Sequence, residues 1–462
     1  MTERRDLVVI GGGSGGFAAA IRAAQLGGQV TVVEELHIGG KCMNHNCIPL
    51  TFLISAAEHM EAARQGARFG LQVEGLQLDI EKLHDEKDLL VEGLRMGTRE
   101  HLIDYGVELV DGRGRLTARD TVQVQGEEGR EIKARNVIVA TGSVEAQLPI
   151  EGADLPGVIG TEEAVGLREV PPRLIIIGNQ AWDFELAQYF NWIGSQVTLI
   201  APGRQLVPEA DREISQRLAK RLHDSGVVVK RGVAVEAIRQ GAGGPLAVAL
   251  ADGAGEVVAD KVVAVRRLPN AAGLGLRELG VRIEHGALPV DAHMRTNLPH
   301  VYAIGDVTAG SMWSHKANAE GIIAAENAMG HASTIDHATM PRCFHTSPPV
   351  AWVGLTQDQT EDQGLEIAVG KVPIAINPYA MILNQTEGAI KIIAGRRYGR
   401  ILGVHMMGPG ALDLINVAAV AMLSEATVHE LMRFIPAHPA IGEALVDAAM
   451  DVDKRSLHLP HW

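Results

Sequence analysis

The residues best suited to chemistry are Cys42 and Cys47, in the run Gly39-Gly-Lys-Cys-Met-Asn-His-Asn-Cys-Ile-Pro49. Two cysteines at this spacing, at the start of an apparent helix, can close a small strained disulfide. A helix N-terminus also favours the thiolate, which is the reactive form. Two other interpretations stay open, half a zinc site completed by His45 and a pair of inert core thiols. A zinc site lacks a second Cys/His pair nearby, because Cys343 is far off in the sequence, and we therefore expect no metal.

A strand–turn–helix–strand unit precedes the cysteines. The apolar strand Leu7–Ile10 leads into a GxGxxG pattern formed by Gly11, Gly13 and Gly16, and the second strand ends at Glu34. Glycines at these positions let backbone N–H groups approach a pyrophosphate at the helix N-terminus, and the acid accepts hydrogen bonds from ribose hydroxyls. The unit predicts a dinucleotide site, and the alternative is a glycine-rich turn without a ligand.

The same unit recurs 167 positions later without its ligand-binding residues. Gly178 repeats Gly11, but Gln180, Asp183 and Ala201 stand where Gly13, Gly16 and Glu34 stood. A side chain at position 180 would crowd a pyrophosphate, the carboxylate of Asp183 would repel it, and Ala201 cannot hold a ribose. The repeat predicts a second dinucleotide fold with a degenerate fingerprint.

Further elements complete a coarse assignment. Strands of the second unit are predicted at Val227–Val229, Leu246–Leu250 and Val262–Val265, with a hairpin turn at Gln240–Pro245. From about Pro341 onward the strands Ile390–Ile393 and Ile401–Met406 precede the helices Leu412–Ser424 and Thr427–Phe434. This last part suggests a separate α+β module.

Composition limits the partners. The chain has 462 residues, which suggests two to four domains, and a net charge of −14 with 4% aromatic residues. The negative charge and few aromatics argue against nucleic acid and anionic lipid as partners. No apolar segment reaches the roughly 20 residues of a membrane helix. We find no signal peptide, so with three cysteines the default is a reducing cytoplasm and no membrane insertion.

The order of these motifs resembles the pyridine-nucleotide disulfide oxidoreductases over the whole chain. The FAD fingerprint and GGxCxNxxCIP are followed by Ala140-Thr-Gly142, by Thr296 with Val301-Tyr-Ala-Ile-Gly-Asp306, and by His438-Pro439 with Glu443. Within the family the chain is most similar to dihydrolipoamide dehydrogenase. The resemblance implies an α/β fold with two three-layer Rossmann-like dinucleotide-binding domains and a C-terminal α+β dimerisation domain. The implied domains are FAD-binding at 1–150 and 271–340, NAD-binding-like at 151–270 and dimerisation at 341–462.

The resemblance also implies roles for individual residues. Cys42 would exchange with the substrate and Cys47 would be the thiolate against the flavin. His438, contributed across a dimer interface, would shuttle the proton while Glu443 orients its ring. The implied FAD contacts are Gly11, Gly13, Gly16, Glu34, Gly40, Gly112, Thr141, Gly142, Asp306, Met312 and His315. The implied partners are a second copy of the chain and a dithiol, either a small molecule or a lipoyl-bearing protein.

One departure from the family concerns a charge beside the flavin. Members usually carry a lysine four residues after the second cysteine, paired with a glutamate on the second unit's helix. This chain has Thr51 at that position but retains the glutamate, Glu185. Glu185 therefore loses its partner unless Lys41, which precedes Cys42, supplies some of that charge.

Other departures fall on the nicotinamide side. Ala181 and Trp182 stand at the gate position, and the stretch Val265-Arg-Arg-Leu-Pro-Asn270 differs from the usual Val-Gly-Arg-Arg-Pro-Asn. We therefore expect electrons to pass between a dithiol and FAD without efficient NAD(P)H exchange. Two alternatives stay open, an ordinary NAD-dependent dihydrolipoamide dehydrogenase and a flavin-containing paralogue that acts only in binding or assembly.

Overall fold

The computed structural model describes residues 4–126, 129–241 and 244–460. Its first part is a sheet in the order β3-β2-β1-β6-β5-β4, in which β1, β2, β3 and β6 run parallel. Strand β1 is apolar on both faces because α1 covers one face and the antiparallel strands β4 and β5 cover the other. The elements are β1 (Arg5–Ile10), α1 (Ser14–Gln25), β2 (Val30–Glu34), α2 (Gly40–Asn44), α3 (Cys47–Arg64), α4 (Ile80–Asp104), β3 (Glu108–Asp111), β4 (Arg113–Ala118), β5 (Thr121–Gln125) and β6 (Glu131–Val139).

The second part repeats the β1–α1–β2 unit, as the sequence predicts. Its elements are β7 (Ser143–Gln147), β8 (Val158–Ile159), α5 (Thr161–Val165), β9 (Arg173–Ile177), α6 (Ala181–Ile193), β10 (Gln196–Ala201), α7 (Arg212–Asp224), β11 (Val228–Arg231), β12 (Val235–Gln240), β13 (Leu246–Leu250), β14 (Glu256–Ala259), β15 (Lys261–Val263) and β16 (Val265–Pro269). A parallel sheet has the order β11-β10-β9-β15-β8, and β12, β13 and β14 form an antiparallel sheet.

The single strand predicted at Val262–Val265 is wrong. Strand β15 ends at Val263 and β16 begins at Val265, because the chain leaves the parallel sheet there to pair antiparallel with β7. The hairpin predicted at Gln240–Pro245 has antiparallel flanking strands, but its residues 242 and 243 lie outside the described residues.

The last part returns to the first sheet and then builds a third. Its elements are β17 (Val301–Ala303), α8 (Ser314–Ala328), β18 (Arg342–Phe344), β19 (Val350–Gly354), α9 (Gln357–Asp362), β20 (Ile367–Pro373), α10 (Pro378–Leu383), β21 (Ala389–Gly395), β22 (Ile401–Met407), α11 (Ala411–Leu423), α12 (Val428–Arg433) and α13 (Gly442–Val452). Strand β17 pairs parallel with β6, and α8 packs on α1. Strands β18 to β22 form an antiparallel sheet in the order β18-β19-β22-β21-β20, which confirms the predicted α+β module.

Among the helices of the described ranges, none combines the length and the apolar composition that a membrane span requires. The predicted domain boundaries remain predictions.

Candidate active site

The cysteine pair lies where two helices meet. Cys42 belongs to the short helix α2, and Cys47 is the first residue of α3. Both are free thiols, and Cys47 Sγ lies 3.8 Å from Oγ of Ser314, the first residue of α8. The described residues gather no group of three His, Cys, Asp or Glu side chains that could hold a metal ion.

The two thiols differ in acidity. The hydrogen bond from Cys47 lowers the pKa of Cys42 to about 6, and Ser314, Ser14 and Arg267 contribute in the same direction against the effect of burial. The same bond raises the pKa of Cys47. The hydrogen bond between the two thiols thus favours a single thiolate in the reduced pair, and the pKa of Cys42 is the lower of the two. The resemblance implies that the thiolate facing the flavin is Cys47. The exchange and flavin-facing roles themselves remain predictions.

A cavity of about 1850 Å³ opens beside the cysteines and gathers most of the predicted site. It is larger than the roughly 300–1,000 Å³ of ordinary small-ligand pockets. The predicted residues that line it are Cys42, Cys47, Gly11, Gly13, Glu34, Gly40, Gly112, Thr141, Gly142, Asp306, Met312 and His315. Gly16 does not line it. A Cβ at Gly16 would collide with the carbonyl oxygen of Gly11, so this glycine lets the first turn of α1 pack closely.

The first unit can accept a dinucleotide at the N-terminus of α1. Gly13 is the N-cap and has no side chain to cap the helix, so the first N–H groups stay available for phosphate. A Cβ on Gly13 would lie 3.7 Å from Gly40 Cα, so larger side chains would fill the cradle between the two glycines. Glu34 is fixed by N–H donors, from Gly12 at 2.6 Å and from Leu36 at 2.8 Å. These features fit FAD.

Hydrogen bonds also connect the residues that line the middle of the cavity. Thr141 Oγ1 donates to the Asn270 carbonyl at 2.7 Å, and the Asn270 N–H donates to the Gly142 carbonyl at 2.9 Å. Ser143 Oγ donates to Asp306 Oδ2 at 2.7 Å. The start of the connection to the second unit is thereby fastened to the residues predicted to bind FAD.

The second unit has the opposite arrangement at its helix N-terminus. The carboxylate of Asp183 accepts a hydrogen bond from the Gln180 N–H at 2.8 Å. It also occupies the space that a Cβ on Gly178 would take. Asp183 is 3% exposed, and burial raises its pKa to about 7. The Gln180 N–H, which could otherwise donate to a phosphate, is thus hydrogen-bonded within the chain. Ala201, at the end of β10, is buried and offers no polar group to a ribose.

A stacked pair borders the same side of the cavity. The guanidinium carbon of Arg267 lies 4.4 Å from the centre of the Trp182 ring, within cation–π distance, and both residues line the cavity. Arg267 belongs to β16, directly opposite Glu145 of β7. The sequence indicated that the stretch around Arg267 was unusual but not that this side chain reaches the site.

The structure corrects the expectation for Glu185. Lys41 does not supply its charge, because its ammonium pairs with Glu162 of α5. Glu185 instead accepts a hydrogen bond from the His345 backbone N–H at 2.7 Å, and its carboxylate lies 3.5 Å from His345 Nδ1. No local pattern in the sequence indicates this contact, because 160 positions separate His345 from Glu185.

The predicted base lies apart from the cavity. His438 Nδ1 is 2.9 Å from Glu443 Oε1, as expected for a carboxylate that orients the ring, and this hydrogen bond lowers the pKa of Glu443. The His438 side chain is 74% exposed, and neither residue lines the cavity of its own chain. The role of His438 across a dimer interface remains a prediction.

Two family models match the chain in succession. Residues 5–332 match "Pyridine nucleotide-disulphide oxidoreductase", and residues 340–449 match the dimerisation domain of the same proteins. A dihydrolipoyl dehydrogenase from Thermus scotoductus is 38% identical over 98% of this chain and 98% of its own. One from Bacillus subtilis is 34% identical over 99% of this chain and 100% of its own.

Solved structures agree in fold. LpdA from Mycobacterium tuberculosis superposes with a TM-score of 0.90 at 25% identity, covering 96% of this chain and 99% of its own. The HOCl-induced flavoprotein disulfide reductase RclA from Escherichia coli gives 0.85 at 27% identity, covering 96% and 98%. The fold of this chain is therefore shared with LpdA and with a flavoprotein disulfide reductase.

Proposed function

Since the chain belongs to the pyridine nucleotide-disulphide oxidoreductase family, we propose that Cys42 and Cys47 pass electrons between a dithiol substrate and FAD without efficient exchange with NAD(P)H. The chain is an FAD-dependent disulfide oxidoreductase that resembles dihydrolipoamide dehydrogenase. We infer a lipoyl-like dithiol as substrate, either free or carried on a protein arm.

One contrast supports the reduced role of the nicotinamide cofactor. The N-terminus of α1 is uncapped, whereas at α6 the buried carboxylate of Asp183 takes the Gln180 N–H. A pyrophosphate at α6 would have to displace this carboxylate or lie against it, and like charges in a desolvated site repel strongly. Glu145 and Glu185 act with burial to raise the pKa of Asp183, whereas the Gln180 N–H and Arg267 lower it.

The chain's own residues can carry the dithiol half of the reaction. A substrate thiolate attacks Cys42 Sγ of the oxidised pair, forming a mixed disulfide and releasing Cys47 as a thiolate. The second substrate thiol then displaces Cys42, so that the substrate disulfide forms and two electrons stay on the pair. His438, oriented by Glu443, would accept the proton of the attacking thiol. Bound FAD supplies the acceptor for the two electrons.

We also propose a homodimer, because the chain carries a dimerisation domain and His438 does not line the cavity of its own chain. In a homodimer, each copy would place its His438 at the cavity of the other. The exposed apolar side chains of Phe434 and Ile435, a few residues before His438, would be covered by the second copy.

Anaerobic titration of the FAD-loaded protein tests the proposal. Dihydrolipoamide should produce a long-wavelength thiolate–flavin band, while NADH and NADPH should leave the flavin unbleached. C47S should abolish the band, and C343S, which removes the third cysteine, should keep it. Rapid bleaching by NADH would instead establish an ordinary NAD-dependent enzyme. No response to any dithiol would indicate a binding or assembly role.

A further inference from the structure

The buried carboxylate of Glu185, on α6, is paired with His345 from the C-terminal part of the chain. Glu185 is 7% exposed, and His345 approaches it with both its backbone N–H and its ring. A charged carboxylate without a partner is costly to bury. The hydrogen bond to Glu185 accordingly raises the pKa of His345, which favours the protonated ring.

His345 is held in place by its neighbours. Phe344 before it is 3% exposed in the core. Ser347 after it donates its N–H to Gln188 Oε1 at 2.6 Å and accepts from Gln188 Nε2 at 2.8 Å. Glu185 and Gln188 are three residues apart and therefore share one face of α6. The segment carrying His345 is docked on this face at two points.

The charged and titratable groups that raise the pKa of His345 come from three elements, and burial of the ring acts against them. Glu185 on α6 has the largest effect, followed by the Cys42 thiol on α2 and Glu58 on α3, and each raises the pKa of His345. Cys343, on the strand before His345, is not a competing anion because burial raises its pKa to about 11. The ring is partly exposed, and His345 lines the same cavity as the cysteine pair.

We propose that protonated His345 is a positioning residue that stabilises the thiolate of the reduced Cys42–Cys47 pair. The inference rests on the proposed function, in which this pair works beside the flavin. His345 exchanges no electrons and does not take the substrate's proton. Its positive charge, anchored by Glu185, lowers the free energy of the thiolate relative to the thiol. Because the cation is an imidazolium, this stabilisation depends on pH near neutrality.

The test follows the thiolate–flavin band of FAD-loaded protein, reduced anaerobically with dithiothreitol, between about pH 5 and about pH 9. H345Q should raise the apparent pKa for band formation by about one unit, a tenfold change in proton affinity. H345K, which keeps a positive charge, should stay near the wild-type value. H223Q, at an exposed histidine near the end of α7, is the matched control and should not shift it.

The outcomes separate the two proposals. If the wild-type protein shows the band and H345Q leaves its apparent pKa unchanged, the role of His345 is overturned and the proposed function is not. An equal shift in folded H345K and H345Q also overturns it, because a structural role would not depend on charge. If H345Q does not fold, H345N takes its place in the same comparison. A wild-type protein without the band at any pH would overturn the proposed function instead.

Discussion

The two thiols of the redox pair have different hydrogen-bond surroundings although only four residues separate them. A helix N-terminus should favour a thiolate at Cys47, the first residue of α3. Yet Cys42 is the more acidic thiol, because Cys47, Ser314 and Ser14 all act as hydrogen-bond partners toward it. Hydrogen bonds to the charged form therefore favour a low pKa at Cys42.

Selective alkylation tests this difference. With limiting iodoacetamide under anaerobic conditions, Cys42 of the reduced protein should react before Cys47, with a half-maximal rate near pH 6. Mass spectrometry of peptides reads the site at each pH. Cys343 is an internal control and should stay unmodified, because burial raises its pKa to about 11. Earlier labelling of Cys47 would contradict the assignment.

Helix ends are the elements that organise the site. Ser14, Cys47 and Ser314 are the first residues of α1, α3 and α8, and they meet around Cys42. Three helix N-termini place partial positive charge on this side of the cavity, which suits phosphate and thiolate. The N-terminus of α6 differs because the carboxylate of Asp183 accepts a hydrogen bond there from the Gln180 N–H.

Removing the side-chain cap at the N-terminus of α6 should improve nucleotide binding. The double variant Q180G/D183G removes the cap and its carboxylate, and we expect the Kd for NADH to fall at least about tenfold, or about 1.4 kcal/mol. Loss of the cap should cost about 1 kcal/mol of stability. Calorimetric titration measures the affinity, and D224N, at the far end of α7, is the control. Unchanged affinity would show that the cap does not limit binding.

At the scale of the whole molecule, a buried ion pair joins the second unit to the C-terminal sheet. Lys391 of β21 contacts both carboxylate oxygens of Asp211, the N-cap of α7, at 2.9 and 3.0 Å. The Asp211 N–H donates to His405 Nδ1 at 3.3 Å, and burial lowers the pKa of His405 to about 4. A neutral histidine completes the cluster while Lys391 carries the compensating charge.

Removing this lysine should destabilise the whole chain. K391M leaves the Asp211 carboxylate buried without its partner, and we expect a loss of about 3–5 kcal/mol in the free energy of unfolding. K371M is the matched control, since Lys371 contacts Glu213 at 3.2 Å on the surface and should cost less than about 1 kcal/mol. Guanidinium unfolding compares them, and equal losses would contradict a special role for the buried pair.

The sequence alone determined the features that are local along the chain. The cysteine pair, the glycines of the first unit and their replacement by Gln180 and Asp183 are patterns within a few residues, and their chemistry follows from residue type and spacing. The repeat of β1–α1–β2 was equally visible, because the same apolar strand and turn recur at a fixed distance.

Only the tertiary structure decided which charges meet. From the sequence, Glu185 loses its partner unless Lys41 supplies some of that charge, but Lys41 pairs with Glu162 and Glu185 with His345, 160 positions away. Arg267 over Trp182 is a contact of the same kind. Such pairs form between separate elements, so they depend on how helices and sheets pack, and no local spacing encodes them.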